Sequence, residues 1–186
     1  QIGFPRRHAD AQEKFPYASL YDFMVFRDRG GKAWLLWNPT MTDVSVFLQD
    51  TTDIQCYDPV TRTMKKFHRQ KLGESLGPNS FPISPPVKLL EDRTGAKWFI
   101  GGNVLSVYDT TRNRFRHFTI REHKLVKDPE SVDYYGISIS AVTKDQDGLF
   151  WLCKERDGLF RFDPLTLELR GFFHDESDST SLSTNN

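Results

Sequence analysis

Apolar and polar side chains alternate along this chain in short runs, separated by clusters of Asp, Gly, Pro and Asn. The clearest stretch is Glu91–Phe118, EDRTGAKWFIGGNVLSVYDTTRNRFRHF. Its runs Lys97–Ile100, Val104–Asp109 and Arg114–Thr119 are rich in aromatic and β-branched residues and bounded by turn formers, which predicts strands. Gly101-Gly102-Asn103 between the first two predicts a tight hairpin. Asp28-Arg29-Gly30-Gly31 predicts another reversal, because Asp accepts backbone N–H bonds while Gly takes positive φ. No segment keeps an apolar stripe at helical spacing, so almost no helix is expected.

The chain spells this stretch twice more. The later copy is Lys144–Phe173, KDQDGLFWLCKERDGLFRFDPLTLELRGFF; the looser, earlier one is Arg27–Leu36, resumed at Cys56–His68. Aligned, they place Asp28, Asp92 and Asp145 at one turn and Trp34, Trp98 and Trp151 on the next strand. Tyr57, Tyr108 and Phe162 follow on a third strand, each with an Asp after it (Asp58, Asp109, Asp163), then Phe67, Phe118 and Phe172 or Phe173. Trp98 to Trp151 is 53 residues, whereas Trp34 to Trp98 is 64, because Trp37–Asp53 is inserted in the first copy. Self-similarity at a period of about 50 residues, four short strands to the unit, is the mark of a β-propeller blade. The expected fold is therefore all-β, with three four-stranded antiparallel blades.

The boundaries follow from the same alignment. Residues 17–75 form the first blade with insertion 37–53, residues 76–135 the second, and residues 136–186 the third with a polar linker. Inner strands are expected at Tyr17–Phe26, as an apolar run buried on both faces, and at Val87–Glu91. Gly73–Pro86 and Lys124–Tyr135 read as long connections from a blade's outer edge back to the axis. In residues 1–16, Phe4–Asp10 resembles the last strand of a repeat; it either completes the last blade or belongs to a disordered leader. The chain stops where a fourth inner strand would begin, and three blades fall below the usual four to eight or so. A fragment of a larger propeller, from near its N-terminus, is expected.

Composition narrows the function by exclusion. Lys+Arg and Asp+Glu balance at 25 each, so no long-range field points to nucleic acid or an anionic membrane. No apolar run approaches the roughly 20 residues of a membrane span. Cys56 and Cys153, the two cysteines, fit neither a disulfide framework nor a metal motif and read as free thiols. His68, His117 and His174 sit beside the terminal aromatic of each repeat, on separate blades and without metal-ligand spacing. Lys65, Lys66, Arg69, Lys71, Arg112, Arg114 and Arg116 make basic outer strands, a pattern that discourages edge-to-edge pairing. The recurrent Asp residues could be glycosidase carboxylates, but one per repeat at a turn is a structural requirement, whereas a catalytic pair occurs once. The Trp residues read as inter-blade packing before sugar platforms. No catalytic, metal or cofactor residue is nominated, and ligand-binding residues are left unassigned.

Asp92, Arg93, Gly95, Trp98, Leu105, Tyr108 and Asp109 resemble the two-component regulator propeller repeat. So do Asp145, Gly148, Trp151, Leu159, Phe162, Asp163 and Thr166, with Ser181–Asn186 as its linker. The first copy departs from it where the insertion precedes Tyr57-Asp58, and Cys153-Lys154 lacks the Gly kept at Gly101. The resemblance implies the periplasmic sensor region of a hybrid histidine kinase, with a propeller that is seven-bladed and non-catalytic. The implied partners are the remaining blades and downstream signalling domains of the parent chain, an oligosaccharide ligand and a homodimer. It implies no nucleic acid, and a membrane only through the parent. The long connections and Trp37–Asp53 are then the candidate contact loops. A polysaccharide-binding or polysaccharide-active propeller without a kinase is the competing expectation. A third is a complete chain whose copies pool blades into one ring.

Overall fold

A computed structural model of the chain describes residues 21–39, 54–67, 88–127 and 138–185. Among the described residues there are thirteen strands, all paired antiparallel, and no helix. The first sheet is β1 (Tyr21–Arg27), β2 (Ala33–Pro39), β3 (Ile54–Asp58) and β4 (Thr63–Phe67), in that order. The middle sheet is β5 (Lys88–Glu91), β6 (Lys97–Gly101), β7 (Val104–Asp109), β8 (Arg114–Arg121) and β9 (Lys124–Lys127). The third is β10 (Ile139–Lys144), β11 (Phe150–Lys154), β12 (Gly158–Phe162) and β13 (Leu169–Phe172). Each sheet is a meander of hairpins, as expected where turn formers follow every four to eight residues or so.

The registers match across the three sheets. Trp34 pairs with Phe26 and Cys56, Trp98 with Leu90 and Val107, and Trp151 with Thr143 and Arg161. The three indoles therefore occupy one depth. The terminal aromatic resolves to Phe172, which faces Leu159 as Phe67 faces Ile54 and Phe118 faces Leu105.

Two expectations need correction. The middle sheet has five strands, because Lys124–Lys127 turns back on β8 where a connection was expected. The turn, Glu122-His123, has both residues at positive φ (47° and 60°) without a glycine, so no turn residue in the sequence announces it. The extra strand pairs only with Phe118–Arg121 of β8, so Lys124 and Lys127 join the basic edge, while Arg114 and Arg116 lie beyond the end of that pairing. The first inner strand is not buried on both faces, since Val25 is 69 % exposed. Phe4–Asp10, Gly73–Pro86 and most of Trp37–Asp53 lie outside the described residues.

Two apolar clusters join the sheets. One packs Trp34, Leu36, Ile54, Cys56 and Phe67 of the first sheet against Leu89, Phe99, Tyr108 and Phe115 of the middle one. The other packs Leu90, Trp98, Ile100, Val107 and Phe118 of the middle sheet against Val142, Phe150, Leu152 and Phe162 of the third. Strand alternation explains the partition: Leu89 and Leu90, or Trp98 and Phe99, point to opposite faces. The middle sheet is thus apolar on both sides and buried on both, and each fully buried aromatic there contributes roughly 1.5–3 kcal/mol.

Candidate functional site

Each sheet is built around the same two aspartate turns. In the first, the carboxylate spans the hairpin: Asp28 Oδ1 accepts the Lys32 amide (2.9 Å) and its Oδ2 the Trp34 indole N–H (3.0 Å). Asp92 does this with Ala96 (3.0 Å) and Trp98 (2.9 Å), and Asp145 with Leu149 (2.9 Å) and Trp151 (2.8 Å). The fourth turn residue is Gly31, Gly95 or Gly148, at φ 82°, 88° and 75°, a region closed to most side chains. The sequence reading missed the aspartate–indole bond, although a constant six-residue spacing in all three copies was its signal. In the second turn, Asp58, Asp109 and Asp163 accept the amides two and three residues on. Each of these turns ends on a non-glycine residue at positive φ: Arg62, Asn113 or Leu167.

Because every sheet carries this scaffold, every sheet has a tryptophan face and an opposite, receiving face. The tryptophan face of the first sheet meets the receiving face of the middle one, where Trp34 stacks on Phe67 and meets Phe99 edge-on (5.4 Å). The middle sheet repeats this toward the third: Trp98 stacks on Phe118 and meets Phe162 edge-on (5.2 Å). Cations follow the same plan. Lys65 lies over the Phe67 ring (4.9 Å) and donates to the Tyr108 hydroxyl (2.5 Å) and to Asn113 Oδ1; Arg116 and Arg170 lie over Phe118 and Phe172.

The rims are tied by polar contacts. Lys97 Nζ is 3.4 Å from both Asp28 Oδ2 and Glu91 Oε1 and donates to the Gly95 carbonyl (2.7 Å). All three charged groups are buried, so removing one would leave an uncompensated charge. Lys144 Nζ reaches the Glu91 carbonyl (2.8 Å), and the Arg93 side chain lies over Gly148. At the opposite rim, Ile139 N donates to Gly102 O (2.6 Å). The β8–β9 turn adds His123, its ring tilted against Phe173 (4.3 Å) and paired with Asp157 (3.0 Å), which also holds Lys154 (2.5 Å).

Among the described residues, two faces have no sheet packed over them. The third sheet's tryptophan face presents Trp151, Cys153, Leu159, Arg161 and Phe172, all half-buried, with Thr143 and Arg170 exposed. The first sheet's receiving face presents Val25 (69 % exposed), Leu35, Tyr57 and Met64 (47 % exposed). These four stand in register at the positions of Leu89, Phe99, Tyr108 and Phe115.

The carboxylates are held as acceptors. The amides of Thr61, Arg112 and Leu165 are the chief cause that keeps Asp58, Asp109 and Asp163 below the usual range. The Trp151 indole does the same for Asp145. Burial pushes Asp28 up, but the Trp34 indole, the Lys32 amide and Lys97 outweigh it, and its carboxyl also lies low. Groups held ionised in this way accept hydrogen bonds and do not donate protons at neutral pH. Among the described residues no three His, Cys, Asp or Glu side chains converge as a metal site requires. Of the three histidines, His117 is buried against Ser106 (2.9 Å), His174 lies at the Leu182 carbonyl, and His68 is outside the described residues. Cys56 and Cys153 are free and lie on the first and third sheets.

No protein-family model matches the sequence, and no curated protein aligns with it. Two crystal structures of the extracellular domain of BT4673 from B. thetaiotaomicron are similar in fold. One describes that protein as a one component system; it overlays at a TM-score of 0.51 with 15% identity over 87% of this chain. The other describes it as a hybrid two component system; it overlays at 0.52 with 17% identity over 87%. The chain spans less than a fifth of either domain, 18% and 17% of their lengths.

Proposed function

We propose that this chain is part of the periplasmic sensor region of a hybrid two-component histidine kinase and is itself non-catalytic. The three sheets are consecutive blades of a β-propeller that further blades of the parent chain complete. The observation that carries this reading is the repeated interlock, in which each tryptophan face is seated on the next sheet's receiving face in one register. Such a stack is rigid, and a rigid repeat scaffold presents its connecting loops as a recognition surface. The likeness to extracellular domains of a two-component system supports it. The ligand is a poly- or oligosaccharide, and its differential affinity for two arrangements of the sensor biases kinase output. The chain touches a membrane only through its parent.

The experiment is a thermal-shift screen of the chain against oligosaccharides, run beside an assay for new reducing ends. At least one glycan is expected to raise the melting temperature without being cleaved. The parent reading frame should also encode a membrane helix and kinase motifs. Glycan turnover by the chain, or a frame without a kinase, would overturn the reading in favour of a polysaccharide-active propeller.

A further inference from the structure

The two joints between sheets are tied differently. At the first, the ties are made by lysines, side chains whose ordinary titration lies far above neutrality. Lys97 meets Asp28 (3.4 Å), and Lys65 donates to the Tyr108 hydroxyl and to Asn113. At the second, the register puts Phe150 where Lys97 stands, and Phe162 and Leu167 where Tyr108 and Asn113 stand. Arg116, the counterpart of Lys65, keeps a buried Nε that has no acceptor. Among the described residues, the ion pair that crosses this joint is His123–Asp157 (3.0 Å), with His123 at the tip of the β8–β9 hairpin.

That hairpin is held shut from outside. Glu122 and His123 both sit at positive φ without a glycine, a conformation that their Cβ atoms oppose. What offsets this lies on the third sheet: Phe173 against the imidazole (4.3 Å), Phe160 beside it (6.0 Å), and Asp157 Oδ1 on its Nε2. Lys154, itself buried, takes the other oxygen of that carboxylate (2.5 Å) and competes with the imidazole for it. The remaining charged neighbours, Glu122 and Lys124 on the hairpin and Glu155 and Arg156 on the facing turn, are exposed.

We infer that the β8–β9 hairpin is a proton-sensitive latch on the second joint, held shut more firmly when His123 is protonated. Imidazole is the side chain whose ordinary charge change falls between about pH 5 and 8. Protonated, it forms an ion pair with Asp157 and places a cation over the Phe173 ring. Neutral, it keeps only a hydrogen bond and the ring contact. The shut hairpin therefore binds the proton more firmly than the open one, so closure is favoured as pH falls and weakened as it rises. The imidazole is half exposed and shares its carboxylate with Lys154, which holds the change in the opening equilibrium to about threefold. A change of that size is small beside global unfolding, so it is read locally.

Native-state hydrogen exchange of the 186-residue chain tests this, followed amide by amide across β9 and corrected for the intrinsic pH dependence of exchange. In the wild-type chain, opening of β9 should rise about threefold between pH values of about 5.5 and 8. His123→Gln keeps a hydrogen-bond donor for Asp157 without a charge, and its β9 should open readily at the acid end and show no rise. His123→Lys carries its charge across the whole range, and its β9 should open no more at the alkaline end than at the acid one. The position is exposed, so circular dichroism should show unchanged folding in both variants. Wild-type opening that does not change with pH overturns the inference, and so does either variant that keeps the wild-type rise. Neither result bears on the sensing reading, because glycan binding and the parent reading frame are measured separately.

Discussion

Replacing Asp92 with alanine removes one acceptor from four donors: the Thr94 amide and hydroxyl, the Ala96 amide and the Trp98 indole. The indole dominates. Its ring is 1 % exposed, so the freed N–H cannot reach water, and an unsatisfied buried donor costs about 1–3 kcal/mol. Thr94 is exposed and its groups rehydrate, adding no more than about 1 kcal/mol, with a similar loss from the half-buried Ala96 amide. A destabilisation of about 2–4 kcal/mol is expected. Asp145 accepts the Leu149 amide and the Trp151 indole but has no counterpart of the Thr94 hydroxyl, and Trp151 is only half-buried with an N–H that can turn to solvent, so Asp145→Ala should cost clearly less. Urea denaturation followed by far-UV circular dichroism measures both. Combining Asp92→Ala with Trp98→Phe should reveal a coupling of about 1–2 kcal/mol. Equal losses at the two aspartates, or a coupling below about 0.3 kcal/mol, would refute the claim that the buried indole is what the carboxylate serves.

Acid should weaken the fold. Asp28, Asp58, Asp109, Asp145 and Asp163 have folded-state pKa values below their unfolded ones, so the unfolded chain binds more protons as pH falls. Their stabilisation is complete above the ordinary aspartate value of about 4 and is lost as pH falls through the folded values. The urea midpoint should hold steady from neutrality to that point and then drop, with a shallower drop in the Asp58→Asn, Asp109→Asn, Asp163→Asn triple variant. A midpoint that rises with acid contradicts this. Arg62 is exposed at φ 57°, a conformation that disfavours any residue with a Cβ. Arg62→Gly is therefore expected to raise stability by up to about 1 kcal/mol, read as a higher melting temperature, whereas an unchanged or lower value would mean that the turn holds no strain.

Much of this architecture was legible in the residues because local chemistry decides it. Asp28, Gly31 and Trp34 recur at fixed offsets as Asp92, Gly95 and Trp98, and the turn that joins them needs nothing from the rest of the chain. The fifth strand was hidden for the converse reason. Glu122 and His123 are poor residues for their turn, and what offsets the strain is distant: Phe173 beneath the imidazole and Asp157 beside it. The difference between Trp98 and Trp151 was illegible for a related cause. Their local sequences agree, and only the presence of a neighbouring sheet separates a sealed indole from a half-open one. The expected contact segments could not be placed, since Trp37–Asp53 and the long connections fall largely outside the described residues.

The two-faced character of each sheet has a bearing on how such a chain can lengthen. A duplicated stretch of gene encoding one unit would deliver a sheet already equipped with both a plug and a socket, so a lengthened stack needs no newly invented contact. Growth by copying is therefore open to this design at any join, whereas inverting a single unit would set plug against plug and leave its tryptophan without a seat.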